Sequence, residues 1–375
     1  MTLGDGIRRN IAKVSADERT ILKKAFLALN TDENFRYPGK RDDKPFTGGV
    51  TYWFKQDEIH QSTHVHGGPA FLTWHRELCN RFEKLLRKYD DHLSLHYWDW
   101  TTDPNATPDE KGNPVDLFTE DFMGNSDANV SDGYAGEPWL DANFYNPNPK
   151  GDHYRAVDPF DEEHSNPFDP PIELKRSKPT GTLESFAKRS GRRFYPDNDI
   201  VNSSSYPEMR TKLEQVHNTA HMYIGGTIGD PHTSFRDPFV FLIHSNVDRL
   251  FAAWQLQKGF EWRLDPTYVY GAETNSSSMG TGHHVSVGLQ TLLSPWSGLD
   301  DPNAEPGLKD VRPWASPENW HKHPDLYPEE EGPKNSTDIS VVIPPKYDDI
   351  YDAKGQPIKV AVNLCGSTNE SLRPR

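Results

Sequence analysis

Long apolar runs are missing from this sequence. None approaches the roughly 20 residues that a membrane-spanning helix needs, and apolar residues make up only 34% of the 375 positions. A chain this polar, with 31 prolines and 27 glycines, does not read as a membrane protein. Cationic excess is missing too. Lys and Arg number 41 against 56 Asp and Glu, a formal net charge of −15. This argues against nucleic acid or an anionic membrane surface as the main partner, since both are held by clustered cations. Cysteine is scarce, with only Cys79 and Cys365 present. Cys79 falls within an amphipathic helical pattern, where a buried free thiol is expected; a Cys79–Cys365 disulfide is the alternative. The stretch from Met1 to Lys13 is charged and lacks a long apolar segment, so no secretory signal is visible. Cytoplasmic residence is the default expectation, with export alongside a partner protein as the other possibility.

Aromatic residues are plentiful: 18 Phe, 15 Tyr and 10 Trp supply the area for a substantial core. Four segments show helical periodicity, and each carries histidine. Trp53, Gln56 and His60 share a face between Tyr52 and His60. A stripe of Phe71, His75, Leu78, Phe82, Leu85 and Tyr89 runs through Pro69 to Tyr89 at spacings of three and four. Leu213, Val216, His217, Ala220 and His221 align between Glu208 and Tyr223, and Gly225-Gly226 ends that pattern. Val240, His244, Val247, Phe251 and Trp254 align between Pro238 and Leu256. Together they predict an antiparallel four-helix bundle with a metal site in its middle. About 110 residues rich in Pro, Asp and Asn separate the second pattern from the third. Only Leu183 to Lys188 reads as a short helix there, while Trp139, Phe144, Tyr145, Phe160 and Phe168 favour a packed excursion. Beyond about Tyr270 the chain is loop-rich again, with β-prone pieces at Ile339 to Ile343 and Ile358 to Leu364.

Of 16 histidines, six carry the argument. His217 and His221, four apart on a helix, project from one face and can share a metal ion. His244 lies on the inner stripe of the next helix. His75 falls in the second turn of its helix and His66 just before it. His60 ends the preceding helix, with His64 as its competitor. A single histidine on an apolar stripe is ordinarily a hydrogen-bonded core residue. Four helices each turning histidine inward differ, because burying so many titratable rings without a metal is costly. Two sets of three imidazoles, without cysteine or an obvious carboxylate ligand, suit copper and leave positions open for oxygen. A zinc protease needs glutamate directly after the first histidine of its pair, and Asn218 stands there. A carboxylate-bridged di-iron bundle needs repeated Glu-x-x-His. Glu214 to His217 forms one such pair, and no second occurs on the inner faces.

The stretch His66-Gly67-Gly68-Pro69-Ala70-Phe71-Leu72-Thr73-Trp74-His75-Arg76-Glu77, continued by Phe82-Glu83 and by Tyr97-Trp98-Asp99-Trp100, resembles the first copper motif of tyrosinases, catechol oxidases and molluscan haemocyanins. Asp237-Pro238-Phe239-Val240-Phe241-Leu242-Ile243-His244, followed by Asp248-Arg249, resembles their second. The resemblance is strong over about residues 50–100 and 205–255. It implies two copper ions, one on His60, His66 and His75 and the other on His217, His221 and His244. It also implies dioxygen as co-substrate, with monophenols converted to o-diphenols and o-diphenols to o-quinones. His64 stands where plant and fungal relatives have a cysteine thioether-linked to the second ligand. That crosslink cannot form here, which is the condition of the bacterial-like tyrosinases. Ile243 precedes a single histidine where the family often has a His-His pair.

The family's hydroxylating members hold a proton-accepting water between a glutamate and an asparagine. Asn218 matches that asparagine, and Glu208, nine residues before His217, is expected to be the glutamate. The other reading of Glu208 is a first-turn carboxylate facing the helix dipole. Met222 is expected to line the substrate entrance. Asp248 either orients a ligand or pairs with an arginine. The expectation is a mainly α-helical dicopper domain over residues 1–270, with a loop insertion at about 101–205, and a loop-rich extension over 271–375 with minor β structure, packed on the core or forming a small lobe of its own. The expected activity is that of a tyrosinase acting on small phenols. A catechol or o-aminophenol oxidase and a haemocyanin-like oxygen carrier are the alternatives.

Overall fold

The computed structural model describes residues 4–32, 34–35, 39–41, 44–46, 52–63, 65–124, 174–177, 179–231, 233–273, 288–293, 296 and 332–350. Helices dominate, and four of them form the histidine-bearing bundle: α2 (Tyr52–Thr63), α3 (Phe71–Tyr89), α6 (Tyr206–Ile224) and α7 (Phe239–Gln255). Helix α7 is its axis. Each of its residues is buried, the polar ones, such as Asn246, Asp248 and Gln255, with hydrogen-bond partners, and both α3 and α6 pack against it. No described helix is long and apolar enough to cross a membrane.

A further helix, α1 (Ala16–Thr31), which carries no histidine, lies against α2 and α3. Its signal is a Ser15-Ala16-Asp17-Glu18 start. The Ser15 side chain caps the helix by accepting from the Glu18 N–H at 3.1 Å, the first half of a capping box. Glu18 does not complete the box. Its carboxylate lies 3.0 Å from His96 Nε2 instead. Leu22, Ala25, Phe26 and Leu29 bury the inner face. Phe26, Trp53, Phe82 and Phe241 then meet as one aromatic block, with Phe82 and Phe241 stacked 10° from parallel. Such pairs contribute about 0.5–1.5 kcal/mol each beyond area burial, and this block ties α1, α2, α3 and α7 together.

Between α3 and α6 the described pieces are a small antiparallel hairpin, β4 (Thr107–Pro108) with β5 (Pro114–Val115), and the helices α4 (Leu183–Ser190) and α5 (Asp197–Val201). Helix α4 coincides with the predicted short helix. Trp139, Phe144, Tyr145, Phe160 and Phe168 lie outside the described residues, as do Ile358 to Leu364 and Cys365. Cys79 is a buried free thiol, and burial raises its pKa. An antiparallel pair, β2 (Gly39–Arg41) with β3 (Lys44–Phe46), precedes α2.

The β reading of Ile339 to Ile343 is corrected by the structure, which forms a short helix there, α8 (Ile339–Val342). Asp338 caps it by accepting from Ser340 N at 3.0 Å. A capping aspartate outweighs the β propensity of a short branched run. Past α8, β6 (Lys346–Tyr347) pairs in parallel with β1 (Ile7–Arg8). The Tyr347 hydroxyl reaches Asp248 at 2.8 Å and accepts from Arg8 at 3.0 Å. The α8 carbonyls of Val341 and Val342 accept from Arg76 at 3.1 and 2.9 Å. Segment 332–350 is therefore bonded into the same core as the bundle.

Candidate metal centre

Each helix contributes a histidine for a local reason. Ser205 caps α6, Pro207 occupies its first turn, and Gly225 ends it, so His217 and His221 sit four apart on one buried face. Gly226 follows in the left-handed region at φ 56°. A Cβ there would collide with the Lys175 carbonyl, so only glycine fits. This tight passage brings the Ile228 carbonyl back to His221 Nδ1 at 2.9 Å. His75 and His244 are held alike. Each directs Nδ1 at the carbonyl four residues earlier in its own helix, Phe71 O at 2.8 Å and Val240 O at 2.9 Å. His217 Nδ1 lies 2.9 Å from Asn218 Oδ1. With Nδ1 donating in all four rings, Nε2 carries a lone pair directed inward, the arrangement typical of metal-binding histidines.

Six histidines gather as two triads. The candidate ligand nitrogens of His60, His66 and His75 lie within 4.8 Å of one another, as do those of His217, His221 and His244. The triads adjoin, since the His75 and His244 rings stack at 4.8 Å and 10°. The first triad draws on α2, on the turn before α3 and on α3 itself; the second draws on α6 and α7. His64 lies outside the described residues.

The donor set fits cations. His217 Nε2 and His244 Nε2 are 3.0 Å apart, and both rings already donate through Nδ1. Two lone pairs so close repel unless a positive centre is shared between them. His221 Nε2 is buried without a hydrogen-bond partner, which is rare for a buried polar atom. Burial, and then the neighbouring rings His221, His244, His66 and His75, push the His217 pKa far below its ordinary value. Burial does the same to His244 and brings His221 down to about 4. The rings of the second triad are therefore neutral at pH 7, as metal ligation requires.

That depression has a consequence for stability. Between pH 6.5 and about 4 the unfolded state binds a proton at His221 that the folded state does not. Stability from this group is thus complete above pH 6.5 and is lost as pH falls toward 4. The slope contributed is at most about 1.4 kcal/mol per pH unit. In metal-free protein, urea unfolding of His221→Gln is expected to vary less steeply than wild type across this window. Parallel curves would refute the shift.

Residues 48–257, which include all six histidines, match the family model for the common central domain of tyrosinase. The chain belongs to the tyrosinase family. It is 28% identical over 302 residues to a tyrosinase-like protein, tyr-3, of Caenorhabditis elegans, covering 80% of this chain and 37% of that one. It is 27% identical over 253 residues to Hemocyanin 2 of Megathura crenulata, covering 66% of this chain and 6% of that one. It is 25% identical over 307 residues to a tyrosinase of Streptomyces lincolnensis, covering 77% of this chain and 92% of that one. The chain thus spans well under two thirds of the first two relatives.

In this tyrosinase-family chain a cavity of about 390 Å³ reaches both triads, bordered by His60, His66, His217 and His221. Asn218 and Met222 also line it, and Met222 is 39% exposed. Glu208 does not. Its carboxylate lies on the outer first turn of α6, bonded to Ser204 N at 2.9 Å and to Lys212 Nζ at 2.7 Å, and Lys212 lowers its pKa. Nine residues of helix rise about 13 Å, which takes Glu208 away from His217. Its structural role is that of a carboxylate at the helix N-terminus, and the predicted site role is corrected accordingly.

The carboxylate that does line the tyrosinase-family cavity is Glu214. It is 7% exposed and accepts from the Gly67 N–H at 2.6 Å. Burial raises its pKa. The sequence showed Glu214 only as half of an unsuccessful di-iron motif. Phe235 had no signal, yet it stacks on His60 at 4.2 Å and lies 4.9 Å from His244. Among the described residues Asp248 makes no hydrogen bond or ion pair with a histidine. It pairs with Arg76 at 2.5 Å and Arg8 at 3.0 Å, so the arginine reading of that residue is the one the geometry gives.

Proposed function

We propose that this chain is a copper oxidase that hydroxylates monophenols to o-diphenols and oxidises o-diphenols to o-quinones with dioxygen. The observation that carries this reading is the cavity: among the described residues it opens to solvent and reaches both histidine triads. Its volume of about 390 Å³ suits a small molecule. A pair of copper ions held by the six histidines would supply the redox chemistry with oxygen.

The protein's own part is placement and proton handling. Phe71, Phe235 and the helix carbonyls fix the imidazole orientations. Hydroxylation of a phenol needs the hydroxyl proton removed, and among the described lining residues Glu214 is the only carboxylate. Its Oε1 is engaged by Gly67, whereas Oε2 meets Arg210 only at 3.4 Å, leaving capacity for another partner. Because burial raises its proton affinity, Glu214 is a stronger base than an exposed carboxylate. Asn218, anchored through Oδ1 to His217, keeps its amide donors for the cavity.

Glu214→Gln is therefore expected to lower kcat on a monophenol roughly 100-fold, the usual worth of a positioned base. Catechol turnover should fall far less, and Glu208→Ala should change neither by more than about twofold. Equal losses on both substrates in Glu214→Gln would remove the proton-transfer role.

Oxygen carriage is the second reading, favoured by the likeness to Hemocyanin 2. The deciding experiment loads copper and assays a monophenol beside its catechol. Turnover of both supports a tyrosinase, and catechol alone supports a catechol or o-aminophenol oxidase. Two coppers with no turnover support a carrier. Fewer than two coppers per chain would sink the dicopper reading itself.

A further inference from the structure

Two charged residues border the cavity, Arg192 and Glu214. Glu214 is answered inside the protein by the Gly67 N–H and by Arg210, which also binds Glu273 at 2.6 Å. Arg192 is not: among the described residues its guanidinium makes no hydrogen bond or ion pair. The other lining residues carry no fixed charge. Among the described residues the rim therefore holds one cation without a partner, in a chain whose net charge is −15.

The backbone fixes where that cation stands. Helix α4 ends at Gly191 in the left-handed conformation, φ 67°, and Arg192 N donates back to Ala187 O at 3.0 Å. The next carbonyl, that of Arg193, accepts from Thr219 Oγ1 at 2.8 Å. Thr219 follows His217 and Asn218 on α6, so the root of Arg192 is bonded to the helix that carries the second triad. The Arg192 side chain itself is exposed and borders the cavity.

We propose that Arg192 is a specificity-determining residue that selects phenols and catechols bearing a carboxylate on the substituent remote from the reacting hydroxyl. A guanidinium binds a carboxylate through two parallel, charge-assisted hydrogen bonds. In a chain of net negative charge an anionic substrate gains little from the long-range field, so a cation at the rim is what would hold it. This selection rests on the phenol-oxidising reading of the same cavity.

The test uses copper-loaded full chain as wild type, Arg192→Gln and Arg192→Lys. Substrates are dihydrocaffeate (anionic), catechol (neutral) and dopamine (cationic). Binding of unreactive hydrocinnamate and phenethylamine is measured in parallel by calorimetry. In Arg192→Gln the ratio of kcat/KM for dihydrocaffeate to that for catechol is expected to fall about five- to tenfold, chiefly through KM. Arg192→Lys should retain part of the preference, and added salt should shrink it in wild type. Hydrocinnamate should bind wild type more tightly than phenethylamine, and Arg192→Gln should erase that difference. The proposal is overturned if the substrate ratio is the same in wild type and Arg192→Gln, or if hydrocinnamate binds both equally or neither. If no catechol is oxidised while hydrocinnamate binding still requires Arg192, the oxidase reading fails and the anion selection stands.

Discussion

Replacing His244 by alanine is expected to lower phenol oxidation by roughly a thousandfold or more, since the metal site itself is dismantled, and to leave about one copper per chain. His244 is fully buried, its Nδ1 is committed to Val240 O, and its Nε2 faces His217 Nε2 at 3.0 Å. No other side chain of α7 can take that position, because Ile243 occupies the preceding site. Removing the ring also leaves a cavity in the bundle's central helix, a cost of about 2–5 kcal/mol for a buried side chain of this size. Activity loss alone would therefore be ambiguous. His221→Ala separates the effects, because His221 is partly exposed to the cavity and its loss opens less of the core. Copper content and turnover of both variants are compared at a temperature where circular dichroism shows them folded. A folded His244→Ala that kept two coppers and a tenth of the activity would mean that this histidine is not a ligand.

The largest effect on stability is expected at Asp248, outside the cavity. Its Oδ1 accepts from Arg76 Nε at 2.5 Å; its Oδ2 meets Arg8 Nη1 at 3.0 Å and the Tyr347 hydroxyl at 2.8 Å. Both arginines are buried, at 1% and 0% exposure. Asp248→Ala leaves two guanidiniums short of a counter-charge in the interior, and breaking a buried pair in this way costs about 3–5 kcal/mol. For a chain of 375 residues that corresponds to a fall of roughly 4–6 °C in Tm. Calorimetry of metal-free wild type and variant measures it without interference from ligand binding. A change below about 1 kcal/mol would show that Glu83, which also holds Arg8, suffices.

The parts of the molecule that were legible in sequence are those where one signal repeats. Four helices carried both an apolar stripe and histidine, and their observed ends lie within about three residues of the reading. The four histidines His75, His217, His221 and His244 could be placed because helical spacing alone sets where their rings point. Glu208 and Glu214 show where that logic stops. Both belong to α6, and both are near His217 in sequence. Helical spacing already puts Glu214 on the face of His217, but the Gly67 N–H that holds its carboxylate at the cavity comes from a different segment and leaves no mark in the periodicity. Phe235 and Arg192 escaped for the same reason, since each reaches the cavity from an irregular stretch that no periodicity describes. Helix α1 was different, because Ser15 and Glu18 did announce its start. Its inner face of Leu22, Ala25, Phe26 and Leu29 carries packing alone and no side chain with metal chemistry. At Ile339 to Ile343, β-branched composition misled because the capping aspartate just before it governs so short a segment.

The pairing of β1 with β6 also constrains the order of assembly. Arg8, Asp248 and Tyr347 meet around one buried carboxylate, though the first and last are 339 positions apart. A growing chain can collapse its bundle once α7 has left the ribosome, but at that stage Tyr347 and the Val341 and Val342 carbonyls have yet to be made. Contacts of such long sequence separation form slowly, because loop closure precedes any gain from the contact. Until they form, Arg8 and Arg76 have a charge partner but lack part of their hydrogen bonding, and the centre of the bundle remains looser than in the finished molecule. The buried Arg8 and Arg76 therefore reach their full bonding only when a segment that supplies none of the six histidines has been made.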